Sequence, residues 1–303
     1  MALKDHSNNV ISLSKRIEAK NRYPHPLKPK NRKGSTRVIA ITSGKGGVGK
    51  TNIVANLGYA FSNLGKNVLI LDADVGLGNL DVLLGLAPKY NLSHVIMGEK
   101  RLNEIIVPGP GNIQILPASS GIQELTSLSQ DQKIRLLTEI DELIDSVDVL
   151  LIDTAAGIST NVMDFSVSAH EIIVVVSPEP TSITDAYALM KVLSLKYSEK
   201  CCYLLTNLVA NAQEGKEVFR QLNVVTNRFL DIDVDYLGSV VFDKRVTTCV
   251  KHQKIVCELY PDTAASRCYH DLAHKISKRR PKKFPQGDTN LFWHHLVQHN
   301  ASI

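Results

Sequence analysis

Between the apolar run Val38-Ile39-Ala40-Ile41 and the segment Asn52-Ile53-Val54-Ala55-Asn56-Leu57 lies the octapeptide Gly44-Lys45-Gly46-Gly47-Val48-Gly49-Lys50-Thr51. A β-branched run that breaks into glycines and resumes as a helix has the layout strand, phosphate loop, helix. The spacing G-x-x-x-x-G-K-T has a mechanical purpose: glycines let successive backbone N–H groups turn inward around phosphate oxygens without Cβ clashes. The helix that begins near Gly49 adds the positive end of its dipole. Lys50 then supplies a point charge to the β- and γ-phosphates, and the Thr51 hydroxyl supplies a ligand for Mg²⁺. The expected ligand is a nucleoside triphosphate. A glycine-rich turn that matches by chance would lack the strand before it and the helix after it. The second lysine is the unusual member, because an ordinary phosphate loop needs only Lys50. Lys45 is therefore either a solvated loop residue or a charge meant for another active site.

The rest of the chain repeats the alternation. Buried strands are predicted at about 37–42, 67–71, 113–116, 149–152, 172–176, 203–205 and 236–240, and helices at about 50–64, 130–145, 160–168, 182–197 and 213–229. Strand and helix in turn mean an α/β fold: a mostly parallel twisted sheet with helices on both faces. A sheet of this kind holds ligands at the carboxyl ends of its strands. A length of 303 residues with 44% apolar composition gives ample core for one large domain. The expected division is a basic arm over 1–36, an ATPase domain over 37–275 and a basic, amphipathic tail over 276–303.

Charge separates these parts. Residues 1–36 carry nine Lys/Arg against Asp5 and Glu18, and residues 271–303 carry six against Asp271 and Asp288, which leaves residues 37–270 at −6 out of a net +5. The basic character lies in the tails, so charge count does not predict a nucleic-acid face on the body. No apolar run approaches the roughly 20 residues needed to span a bilayer, and the first residues lack the apolar core of a secretory signal. A cytoplasmic protein is expected. Cys201, Cys202, Cys249, Cys257 and Cys268 include no C-x-x-C pair, which disfavours zinc or an iron–sulfur cluster and predicts reduced, mostly buried thiols.

Two further segments should converge on the phosphates. The second strand ends in Asp72-Ala73-Asp74, two carboxylates just past a strand end. One of them could be a cap bonded to backbone while the other faces the magnesium ion or a water, and spacing does not separate them; Asp74 is the expected orienter of water, with Asp72 in support. The strand at 149–152 ends in Asp153-Thr154-Ala155-Ala156-Gly157, the layout of a Walker B aspartate followed by a glycine able to sense the γ-phosphate. An aspartate at a strand end is often a turn former, but behind a phosphate loop in a parallel-sheet pattern the metal role is favoured. The chemistry implied is phosphoryl transfer to water, in which the protein positions groups and neutralises charge.

These residues carry a resemblance. Residues 43–51 resemble the deviant Walker A motif of the MinD/ParA ATPases, whose second lysine acts in trans when two subunits sandwich two ATP molecules. More narrowly, Asp72-Ala73-Asp74-Val75-Gly76-Leu77-Gly78-Asn79-Leu80-Asp81 is similar to the MinD-like flagellar number regulators of the FlhG/FleN (YlxH-like) family. So are Leu116-Pro117-Ala118-Ser119-Ser120-Gly121, residues 152–159 and Pro178-Glu179-Pro180-Thr181-Ser182. The match runs from about 37 to 275. It implies ATP and Mg²⁺ as cofactors, with Gly44, Gly46, Gly47, Val48, Gly49, Lys50, Thr51 and Asn52 around the phosphates. It also implies Lys45 reaching a partner's nucleotide, Lys50 and Asp74 in catalysis, and Thr51, Asp72 and Asp153 at the metal. Asn207, Phe242 and Asp243 resemble positions that contact the adenine, although Asn207 also suits a turn and Phe242 a core.

The resemblance further implies a homodimer in the ATP state, and as partners an FlhF-type GTPase, flagellar switch-complex proteins or a flagellar transcription activator. MinD-like chains bind membranes through a C-terminal amphipathic helix, and here Leu291, Phe292, Trp293, Leu296 and Val297 follow a basic run. That pattern suits an anionic bilayer surface, giving reversible peripheral association with the inner face of the cell membrane; packing back onto the body is the alternative. The N-terminal arm departs from the family: residues 9–20 offer a short amphipathic helix without the Asp-Gln-Ala motif that stimulates the GTPase. The function expected is an ATP-dependent dimerising ATPase that regulates flagellar number or placement. The rivals are a ParA-like partition ATPase riding on DNA and a nucleotide-dependent binding module that restrains a transcription activator.

Overall fold

The computed structural model describes residues 36–279 apart from 75–77, 118–128 and several positions between 130 and 145. The N-terminal arm, the C-terminal amphipathic segment, Val75-Gly76-Leu77 and the serines after Leu116-Pro117 lie outside the described residues. β1 (Arg37–Ser43) is buried at every position. It is followed by α1 (Lys50–Asn63), β2 (Val68–Ala73), α2 (Leu80–Leu84), α3 (Leu92–Ile96), α4 (Leu102–Ile105), β3 (Val107–Pro108), β4 (Gln114–Pro117) and β5 (Val149–Ala156). Next come α5 (Thr160–Ser168), β6 (Glu171–Val176), α6 (Pro180–Tyr197), β7 (Cys201–Val209), α7 (Ala212–Phe229), β8 (Asp233–Val241), α8 (Lys244–Lys251), α9 (Val256–Leu259) and α10 (Ala264–Lys278).

Among the described residues the strands form one sheet in the order β3-β4-β2-β5-β1-β6-β7-β8. All its pairings are parallel except β3 with β4. β1 sits between β5 and β6, so the chain leaves in opposite directions from its centre and a crevice opens at the strand ends there. Apolar residues alternate between two buried faces, as a parallel sheet with helices on both sides requires. Ile39, Ile41, Ile70 and Leu151 pack with α1 and α10 on one face. Val38, Ala40, Leu69 and Ile152 pack with α3 and α4 on the other, and α6 and α7 cover Ile172, Val174 and Leu204.

The structure adds elements that the sequence reading did not place, notably the edge strand β3 and the helices α8 and α10. α10 buries Ala265, Tyr269, Leu272, Ala273 and Ile276, so the expected boundary at 275 falls inside this helix. Its last carbonyls are held by the first residue of β1: the Arg37 guanidinium donates to the Ile276 carbonyl and, at 3.2 Å, to the Arg279 carbonyl. The same group pairs with Glu171 at 2.8 Å, both side chains being buried. Of the cysteines, Cys202, Cys249 and Cys257 are buried and Cys201 and Cys268 half-buried, all free. No helix among the described residues is long and apolar enough to cross a membrane.

Candidate active site

The loop after β1 turns on glycines that no other residue could replace at two points. A methyl carbon built on Gly44 would lie 2.2 Å from the Asp185 carbonyl oxygen of α6. The Asp185 carbonyl carbon would lie at 2.3 Å and its Cβ at 2.8 Å, so no flexible side-chain end can move aside. Gly44→Ala is expected to destabilise the fold by about 1–3 kcal/mol through overpacking, and a thermal melt that matches the wild-type chain would contradict this contact. Gly49 has a left-handed backbone with φ of 89° and is the N-cap of α1 without any side-chain cap. The first-turn N–H groups of α1 are thus left for an anion.

Ser43, Lys50, Thr51 and Asp153 form the charged centre. Lys50 is 9% exposed, and its ammonium donates to Ser43 Oγ at 2.7 Å. Ser43 in turn donates to the Lys45 carbonyl at 2.7 Å, and its own carbonyl accepts from the Gly157 N–H at 2.9 Å. Ser43 stands in the motif, but a serine just before a phosphate loop carries no signal of its own, and only the structure shows its part. Burial holds the Lys50 ammonium below its ordinary range, against the opposing charges of Asp153 and Asp74. Asp153 is 2% exposed, and its Oδ1 has no hydrogen-bond partner among the described residues. Burial pushes its carboxyl up to about 7, the charge of Asp72 pushes the same way, and the Thr51 hydroxyl and the Lys50 charge pull against them.

Asp72 and Asp74, which spacing could not separate, differ in the structure. Asp72 stands beside Asp153 on the neighbouring strand. Its Oδ1 accepts from the Asp74 N–H at 3.3 Å, and the Leu80 N–H is a second donor to the carboxyl. Burial raises this carboxyl to about 6. Asp74 is less buried and lines a cavity of about 870 Å³ with Gly46, Gly47, Gly49, Lys50, Thr51 and Asn52. Asp72 therefore holds the turn, and Asp74 faces the space where phosphates would sit.

The remaining candidates fall at the two ends of this cavity. Asn207, Phe242, Asp243 and Asn52 line its continuation at the ends of β7 and β8. Asn207 is 4% exposed and its amide donates to the Val48 carbonyl at 2.8 Å, so it braces the phosphate loop from below. Phe242, for which a core position was considered, is 55% exposed. Asp243 caps α8, accepting from the Arg245 N–H at 2.9 Å. At the other end, the Lys45 ammonium leaves the loop and bonds Glu179 at 2.6 Å and the Thr181 hydroxyl at 2.8 Å, at the start of α6. Both partners of this pair are well exposed.

These groups fit a magnesium nucleotide. A buried carboxylate oxygen without a donor, a hydroxyl beside it, an uncapped helix N-terminus and a buried ammonium are the complement of a triphosphate with its cation. Thr51 and Asp153 would hold the ion, and the residues from Gly44 to Asn52 the phosphates. Among the described residues no cluster of three or more His, Cys, Asp or Glu could hold a metal on its own.

Comparison with known proteins gives a consistent picture. The family model described as an AAA domain matches residues 36–201. The antiactivator FleN of Pseudomonas aeruginosa is 43% identical over 266 residues, covering 88% of this chain and 95% of that protein. The flagellum site-determining protein YlxH of Helicobacter pylori is 35% identical over 242 residues, covering 80% and 82%. Among solved structures, MinD in the MinC:MinD cell division complex of Aquifex aeolicus superposes with a TM-score of 0.64 at 26% identity, covering 83% of this chain and 98% of that one. The chain belongs to the FleN/YlxH branch of the MinD/ParA family of P-loop ATPases.

Proposed function

We propose that this protein is an ATP-dependent dimerising switch that regulates flagellar number or placement and resets by hydrolysing ATP to ADP and phosphate. The observation that carries the nucleotide half is the buried, donor-less Asp153 oxygen beside Thr51 and Lys50. The flagellar half is supported by the names of the relatives, an antiactivator and a flagellum site-determining protein. In this reading Asp74 orients the attacking water, Asp153 and Thr51 hold Mg²⁺, and Asn207, Phe242 and Asp243 surround the base. The partners are a second copy of the chain and a flagellar protein, whether an FlhF-type GTPase, a switch-complex component or a transcription activator. The tail beyond residue 279 supplies reversible contact with an anionic membrane surface.

Lys45 is the residue that makes the switch bimolecular. Its ammonium is held by Glu179 and Thr181, and Lys45 is not among the residues that line its own phosphate cavity. An exposed pair of this kind is worth about 0–1 kcal/mol. A partner's γ-phosphate outbids it easily. Lys45→Ala is therefore expected to fold and melt like the wild-type chain while hydrolysis falls by about 10²-fold, the size of losing one charge at the developing anion. Steady-state phosphate release with size-exclusion chromatography in ATP checks both halves. An alanine variant that hydrolyses normally as a dimer would remove the trans-acting role.

A further inference from the structure

One wall of the nucleotide cavity belongs to a helix to which the sequence gave no role beyond Asp243. Val246 and Thr247 of α8 line the base end beside Asn207 and Phe242, and Val250 and Gln253 line the phosphate end beside Lys50 and Asp74. Positions 243, 246, 247 and 250 are spaced i, i+3, i+4, i+7, one face of a helix. A single face of α8 thus runs along the cavity from base to phosphates.

Gln253 stands at the end of that face with an unusual backbone. α8 closes in a Schellman motif, with the Lys254 N–H on the Cys249 carbonyl at 3.0 Å and the Gln253 N–H on the Val250 carbonyl at 2.9 Å. The residue between these bonds must be left-handed, which glycine does without strain. Gln253 does it with φ of 55°. Burial does not offset the strain, because Gln253 is exposed. What the side chain does touch is Gly85, itself left-handed at the end of α2: a methyl carbon built there would lie 3.0 Å from Gln253 Oε1 and 3.1 Å from its Cβ. The missing side chain at Gly85 therefore leaves room for the glutamine where it forms part of the cavity wall. Strained residues that persist without packing gain tend to serve a site.

We propose that Gln253 is a nucleotide-binding residue whose side-chain amide bonds the sugar–phosphate portion of the bound nucleotide, seated for that contact by Gly85. The proposal rests on the nucleotide reading above. A residue that only ended a helix would function better as glycine, whereas a ligand contact needs the side chain and tolerates the strain.

The test uses the full chain and its Gln253→Gly and Gln253→Asn variants, with Mg-ADP affinity by calorimetry and steady-state hydrolysis of Mg-ATP. Gln253→Gly should melt about 2–4 °C higher without nucleotide, since glycine relieves the left-handed strain. It should also bind Mg-ADP about 5–10-fold more weakly, the loss of one hydrogen bond, with KM for ATP rising in proportion and kcat within about two-fold. Gln253→Asn, which tolerates the backbone and keeps a shorter amide, should recover part of the affinity. If Gln253→Gly is stabilised but keeps wild-type affinity and KM, Gln253 is a helix cap and the proposal is overturned. If the unaltered chain binds no Mg-ADP, the nucleotide reading falls as well.

Discussion

Lys50→Ala is expected to reduce ATP hydrolysis by about 10²–10³-fold, the range found when one fixed donor is removed from developing charge, and to weaken Mg-ATP binding alongside. The reason lies in how tightly this ammonium is committed. It is nearly buried, bonded to Ser43 Oγ, and placed where the charges of Asp153 and Asp74 reach it. Burial alone disfavours a protonated lysine, so the carboxylates are what keep it charged while the site is empty. The alanine variant loses the phosphate contact and also leaves the buried Asp153 carboxyl without the cation that opposes its upward shift. Its melting temperature should therefore fall more at pH 8 than at pH 6. Phosphate release within ten-fold of the wild-type rate would show that Lys50 does not touch the transferred phosphoryl group.

Asp153→Asn should separate stability from activity, with opposite signs. In the folded chain burial raises the Asp153 carboxyl from 3.8 to about 7. Between those values the folded state holds a proton that the unfolded state has released, so stability falls as pH rises through the window and the whole penalty is present above it. Asparagine carries no charge at any pH. The variant is expected to melt about 3–6 °C above the wild-type chain at pH 8, with the gain shrinking towards pH 5. Hydrolysis should drop by about 10²–10³-fold because the amide offers no negative charge to Mg²⁺. Thermal melts from pH 5 to pH 8, with and without Mg-ADP, check this. A variant less stable than wild type at pH 8 would mean that Asp153 is already neutralised by a partner, and the metal role would lose its physical ground.

The parts of this molecule that the sequence made legible are those whose chemistry is local. Val38-Ile39-Ala40-Ile41 is apolar on both faces, so it had to be a central strand, and the glycines after it had to be a turn around something small and charged. Asp153 was legible because its neighbours fixed its place at a strand end. Asp72 and Asp74 were not separable, since the difference between them is which carboxyl the backbone of Asp74 and Leu80 occupies. α10 carried a readable stripe at Ala265, Tyr269, Leu272, Ala273 and Ile276, but its exposed face is dense in charge and histidine and it merges into the basic tail. α8 carries an apolar face at Val246, Cys249 and Val250 that packs on the core, but at eight residues it is too short for that face to stand out among its lysines, arginine and threonines. Phe242 shows another limit: an aromatic residue reads as core until the cavity beside it is seen.

The guanidinium of Arg37 fastens the last turn of α10 to the first residue of the central strand. The folded body therefore receives the chain and releases it at one spot. Residues 1–35, with nine Lys/Arg against two acidic residues, and residues 280–303, with Arg280, Lys282 and Lys283 against Asp288, are rooted at positions joined through one arginine side chain. Two charged tethers on a common anchor act with a shared local concentration. Were one segment to meet an anionic surface, the other would be carried to it on the same body, and the affinity that counted would be that of the pair.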